Sequence, residues 1–185
     1  MKDIKRITTE NAAFIMIDMQ EKLLPVIDNH QAVIDNNIKL LKGARELGLK
    51  TLVTEQYPKG MGPTEASLLE AAAGIVPLQK LTFSVYGDNR AEIDELVKRG
   101  VDTFILSGIE AHICVYQTAK DLLNKGLNVY LVYDALGSRN PQNHAQILAT
   151  LRSMGAFVIP TETLLFELMV DSKHDSFKVI SKLIK

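Results

Sequence analysis

Short, continuous apolar runs alternating with longer amphipathic stretches constrain this chain more than any other feature. AAFIMID (12–18), KTLVTE (50–55), DTFILSG (102–108), NVYLVYD (128–134) and AFVIP (156–160) read as strands. IVPLQ (75–79) reads as a shorter strand after the Gly74–Pro77 break. The runs are mainly continuous apolar stretches and not strictly alternating ones, which is the pattern of strands covered on both faces. Between them lies helical spacing. In HQAVIDNNIKLLKGARELG, Val33, Ile34, Ile38, Leu41 and Leu47 keep mainly to one face. RAEIDELVKRG lies between Asp88, a candidate N-cap, and Gly100, a candidate C-cap. NPQNHAQILATLRSMG combines Asn140 as cap, Pro141 in the first turn and Gly155 at the stop. The tail HDSFKVISKLIK (174–185) puts Phe177, Ile180 and Ile184 on one helical face, suited to docking on its own subunit or on a neighbour. Strand–helix–strand alternation implies a three-layer α/β/α domain around a mainly parallel sheet.

At 185 residues the chain fits one domain, 1–185, with a sizeable core. Its 21 Lys and Arg are balanced by 22 Asp and Glu, which argues against a nucleic-acid partner held by a basic surface. One cysteine cannot form an intramolecular disulfide, in keeping with a reducing cytoplasm. The N-terminal apolar run is ended by Asp18, too short for a membrane span and without a signal-peptide cleavage pattern. A cytoplasmic protein without a membrane partner is expected.

In a parallel α/β sheet, ligands bind beyond the carboxyl ends of the strands. Three residues stand there. Asp18 ends FIMID as a turn former or helix cap, or as a general acid/base. Lys80 follows IVPLQ, either solvated or partly buried where its charge would favour a thiolate. Cys114 opens the helical stretch with apolar face Val115, Ala119, Leu122 and Leu123. It is either a small core residue or a thiol whose pKa the helix start lowers. Gly108 lets the chain turn sharply before it, so that N–H groups could converge beside the sulfur. Each such oxyanion donor supplies about 3 kcal/mol of transition-state stabilisation.

The order Asp18 in FIMIDMQ, Lys80 in QKLTFS, then GIEAHICVYQTAKDLLNKGLNVYLVYDALGS resembles the isochorismatase-like cysteine hydrolase superfamily, roughly from Ala13 to Leu168. TEQYPKGMGPT and DSFKVISKLIK are similar, within it, to the isochorismatase domain-containing proteins. The resemblance implies a Rossmann-like fold with a six-stranded sheet and an Asp–Lys–Cys triad of Asp18, Lys80 and Cys114. It also implies a cis peptide between Ile109 and Glu110, an oxyanion hole from the N–H groups of Glu110 and Cys114, and a homo-oligomer of two or more subunits. The implied chemistry is thiolate attack on the carbonyl of a small-molecule amide, with a thioester intermediate.

The nicotinamidase branch of that superfamily carries a metal site after its second strand, but TEQYPKGMGPTEAS contains no histidine. His30, His112, His144 and His174 are scattered without ligand spacing, so neither a metal nor another cofactor is expected. Gln20, Gln56, Tyr57, Phe83 and Tyr86 follow predicted strands and are candidate substrate contacts. His112, two residues before Cys114, either joins them or faces solvent. YPKGMGPT reads as a glycine-rich loop able to act as a lid. A metal-independent cysteine hydrolase acting on a small amide or related C–N bond is the leading reading. A binding or scaffold protein with little turnover and a vinyl ether hydrolase stay open; a nuclease would need a basic groove.

Overall fold

The computed structural model describes residues 6–185; the first five residues of the predicted 1–185 domain lie outside the described residues. Six strands, β1 (Ala12–Ile17), β2 (Lys50–Gln56), β3 (Leu78–Lys80), β4 (Thr103–Gly108), β5 (Asn128–Leu136) and β6 (Phe157–Ile159), form one sheet in the order β3-β2-β1-β4-β5-β6. Every pairing is parallel. The connecting helices are α1 (His30–Glu46), α2 (Pro58–Met61), α3 (Ala66–Ala72), α4 (Val85–Asp88), α5 (Arg90–Lys98), α6 (Tyr116–Asn124), α7 (Pro141–Ser153), α8 (Thr161–Met169) and α9 (Phe177–Ile184).

The continuous apolar strands feed two cores at once, because successive side chains point to opposite faces. In β1, Ala12, Phe14 and Met16 pack with Val33, Leu40 and Leu41 of α1, Leu68 of α3 and Leu164 of α8. Ala13, Ile15 and Ile17 pack with Val85 of α4, Ile93 of α5, Ala119 and Leu122 of α6 and Leu151 of α7. A sheet buried on both faces with helices in two outer layers is the Rossmann-like α/β architecture.

Several local readings shift by a few residues for identifiable reasons. Pro77 has no N–H to give to a ladder, so the strand read as IVPLQ starts at Leu78 and reaches Lys80. Asn140 accepts hydrogen bonds from the N–H groups of Gln142 and Asn143 at the start of α7, as its sequence signals require. Asp88 does not cap α5, whose N-cap is Asn89. Its Oδ2 instead accepts the N–H groups of Leu81 at 2.6 Å and Thr82 at 2.9 Å, pinning the loop after β3. YPKGMGPT is tied back to the stretch after β1. It contains the single turn α2, and the carbonyls of Gly60 and Gly62 accept from Lys22 Nζ at 2.9 Å and Gln20 Nε2 at 2.6 Å. The tail helix α9 docks on its own chain, with Ile180 buried against Leu165 and Met169 of α8.

The chain leaves β1 for β2 on one side and returns to β4 on the other, so a crevice opens beyond the carboxyl ends of β1 and β4. Gly108 closes the base of that crevice. Its φ is 103°, and a Cβ there would collide with the Ile17 carbonyl oxygen, which itself accepts the Ile109 N–H at 2.9 Å. Replacing Gly108 by Ala combines a left-handed backbone with a backbone clash. It is expected to destabilise the protein by about 3 kcal/mol or more, read as a lower urea midpoint or loss of soluble protein.

Candidate active site

Asp18 follows the last residue of β1 in a left-handed conformation (φ 52°), its N–H donating to Thr54 of β2 at 3.1 Å. It is fully buried. Lys80, at the end of β3, donates from Nζ to Asp18 Oδ2 at 2.6 Å, and both side chains are sealed from solvent. The remaining Lys80 bonds go to Gln56 Oε1 at 2.7 Å and the carbonyl of Phe83 at 3.1 Å, with that of Thr82 at 3.4 Å. Thr54 Oγ1 donates to Asp18 Oδ1 at 2.8 Å. Breaking one partner out of such a buried pair leaves an uncompensated charge, at a cost of about 3–5 kcal/mol.

Cys114 arrives from the far side of the crevice. The Ile109–Glu110 peptide is cis, and a π-helical turn over Ala111–Val115 carries Cys114 into the start of α6. Cys114 is buried, 7% exposed. Its thiol is set beside the Asp18 carboxyl and the Glu110 backbone N–H, the groups that act on it. The structure thus brings Asp18, Lys80 and Cys114 together from three separate strand ends.

The electrostatics depart from the sequence expectation that a helix start lowers the thiol pKa. The Cys114 thiol is pushed up from 9.0 to about 12, first by burial and then by the negative charge of Asp18. Lys80 and the Glu110 N–H act in the opposite direction without overcoming these. A helix dipole contributes only about 0.3–1 kcal/mol at a terminus, too little to offset removal of a thiolate from water. Burial likewise raises the Asp18 carboxyl, opposed by the charge and hydrogen bond of Lys80 and by the hydrogen bonds from Thr54 and the thiol. The resting site therefore holds a protonated thiol beside Asp18, not a free thiolate.

The predicted substrate contacts divide. Gln20 is fully buried and its amide is used by backbone: Nε2 donates to the carbonyls of Gln56 and Gly62, and Oε1 accepts the Gln56 N–H. It braces the ends of β1 and β2 against the stretch around Gly62. Gln56 is committed to Lys80 and to the Leu81 carbonyl. The Tyr86 hydroxyl bonds Lys125 and Asp94, and the cations of Arg90 and Lys125 lie over its ring. His112 neither faces open solvent nor stands free, since Nδ1 is 3.0 Å from Ser138 Oγ and 3.7 Å from Glu110 Oε2. Tyr57 and Phe83 remain about half exposed near Lys80. Among the described residues no group of three or more His, Cys, Asp or Glu could hold a metal, and no helix is long and apolar enough to cross a membrane.

Two contributors escaped the sequence reading. Thr54 is a polar residue inside a buried strand, a signal that was available in KTLVTE. Arg139, whose Nε reaches Glu110 Oε1 at 3.0 Å, sits on a different loop and carries no local signal.

With this geometry in place, the likeness to known proteins becomes informative. Residues 12–163 match the isochorismatase domain. The chain belongs to the isochorismatase family. It is 39% identical over its full length to isochorismatase domain-containing protein 2 of Danio rerio, covering 92% of that protein. The human protein of the same name is 37% identical over 97% of this chain and 86% of its own length. The structure of the MAR1 ribonuclease from Caenorhabditis elegans matches with a TM-score of 0.91 and 36% identity, covering 97% of this chain and 92% of that one. The fold is that of isochorismatase-family hydrolases.

A thiol that keeps its proton in the folded state to about pH 12, but loses it near 9 when unfolded, makes the unfolded chain the weaker proton binder between those values. Stability must then fall as pH rises through that window, by about 1.4 kcal/mol per pH unit from this group alone. Urea unfolding of wild type and Cys114→Ala between pH 8.5 and 10.5 checks this, with the wild type losing stability faster.

Proposed function

We propose that this isochorismatase-family chain is a metal-independent cysteine hydrolase that cleaves a small amide or related C–N bond through a thioester. The observation that carries the reading is the thiol of Cys114 set beside the buried Asp18 carboxyl that Lys80 also holds. When a substrate carbonyl enters, the thiol proton passes to Asp18 as Sγ bonds the carbonyl carbon. The developing oxyanion is received by the N–H groups of Glu110 and Cys114. Collapse of the tetrahedral species breaks the C–N bond, and Asp18 returns the proton to the departing ammonia or amine. Asp18 then takes a proton from water, whose oxygen attacks the thioester. The C–S bond breaks, the acid leaves and Asp18 reprotonates the sulfur. Lys80 offsets the negative charge that Asp18 and the sulfur share. Assembly as a homo-oligomer belongs to the same reading.

The protonated resting thiol suits this scheme, because the base already lies beside the group whose proton it removes. RNA cleavage is a second reading, favoured by the likeness to the MAR1 ribonuclease and opposed by a sequence with no excess of basic residues.

Screening small amides with wild type, Asp18→Asn and Cys114→Ser tests the proposal, together with mass detection of an acyl adduct on Cys114. Turnover should fall about 10³-fold or more in both variants. Iodoacetamide alkylation separates the base role from simple damage. Removing the Asp18 charge should lower the thiol pKa, so Asp18→Asn should be alkylated faster at pH 8 while losing turnover. No adduct, and alkylation indifferent to Asp18, would favour a binding protein. Salt-sensitive binding and cleavage of RNA would favour the second reading.

A further inference from the structure

The carboxylate at the centre of the site has three side-chain partners, and they differ in what they can do. Lys80 from β3 is an ammonium and can only donate. Cys114 from the turn after β4 gives up its proton in the proposed reaction. Thr54 from β2 is a hydroxyl, which donates or accepts. Among the described residues, Lys80 and Cys114 are the titratable groups set against Asp18, so Thr54 is its uncharged partner.

Thr54 is placed with unusual rigidity for a hydroxyl. It is fully buried on a strand whose register pairs it with Ile17, the residue before Asp18. Its carbonyl accepts the Asp18 N–H at 3.1 Å, and its Oγ1 donates to Asp18 Oδ1 at 2.8 Å. Main chain and side chain of one residue therefore grip main chain and side chain of the other. With Oδ2 held by Lys80, this fixes the plane of the carboxylate.

We infer that Thr54 is a positioning residue for the proton transfer, holding Asp18 ionised and aligned while the site rests and turning its hydroxyl to accept when Asp18 carries the proton. The inference rests on Asp18 acting as the base. A hydroxyl fits both states of the acid, because the O–H that donates to the carboxylate can rotate and present a lone pair to the protonated form. A methyl in its place would serve neither. The sign of the effect follows. A hydrogen bond to the ionised carboxylate favours ionisation, so its loss raises the pH at which Asp18 titrates.

The experiment is the pH titration of the Asp18 carboxyl ¹³C resonance in protein labelled with ¹³C-aspartate, assigned by its absence in Asp18→Asn. Wild type is compared with Thr54→Val, which keeps the strand-favouring shape without the hydroxyl, and with Thr54→Ser, which restores the hydroxyl. The midpoint should move up by about one pH unit in Thr54→Val, the size expected for one hydrogen bond, and return in Thr54→Ser. Thr54→Ala serves as the hydroxyl-free variant if the valine protein does not fold. Coincident titrations of the wild type and a folded hydroxyl-free variant would overturn the inference, as would a serine variant that shifts like valine. Alkylation of Cys114 in Asp18→Asn, measured in parallel, keeps the two claims apart. If alkylation responds to Asp18 but the carboxyl ignores Thr54, only the role of Thr54 fails. If alkylation ignores Asp18, the base reading fails.

Discussion

The ion pair between Lys80 and Asp18 dictates much of what surrounds it. Two charges removed from water require compensation beyond their mutual attraction, and the neighbouring chain supplies it. Gln56 turns its amide oxygen to the ammonium, and the loop after β3 bends its Phe83 and Thr82 carbonyls towards the same nitrogen. That loop is kept in place by Asp88, which grips two of its N–H groups. Gln20 then fastens β2 to the stretch around Gly62. A polar scaffold drawn from the ends of three strands thus exists around one buried bond.

The protonated state of Cys114 gives this centre its character. A free thiolate would be a general hazard, open to oxidation and to any passing electrophile. Burial and the adjacent Asp18 keep the proton on sulfur in the resting protein.

Much of the architecture was legible because strand burial writes itself locally. A run such as FIMI or FILS has one explanation in a soluble domain, and the caps around Pro141 mark a helix unaided. The catalytic candidates were legible as strand-end residues, and a resemblance joined them. What could not be read was the spending of polar groups across the sheet. Gln20 looks like a free amide until its partners on Gln56 and Gly62, brought near by folding, are known. Tyr86 is drawn away by Lys125, a residue nearly forty positions later. The thiol pKa was misjudged because the helix start is visible in sequence, whereas the depth of burial and the proximity of Asp18 are not.

The strand order has a consequence for how the chain comes into being. β1 is made first yet lies inside the sheet, flanked by β2 and by β4, whose last residue is Gly108. As the chain leaves the ribosome, Phe14, Ile15, Met16 and Ile17 must wait for some ninety further residues before their second neighbour exists. Through that interval a strand destined for complete burial lacks its cover, the kind of surface that draws chaperones and invites aggregation. A segment sealed on every side in the finished molecule is an uncovered one in the nascent chain.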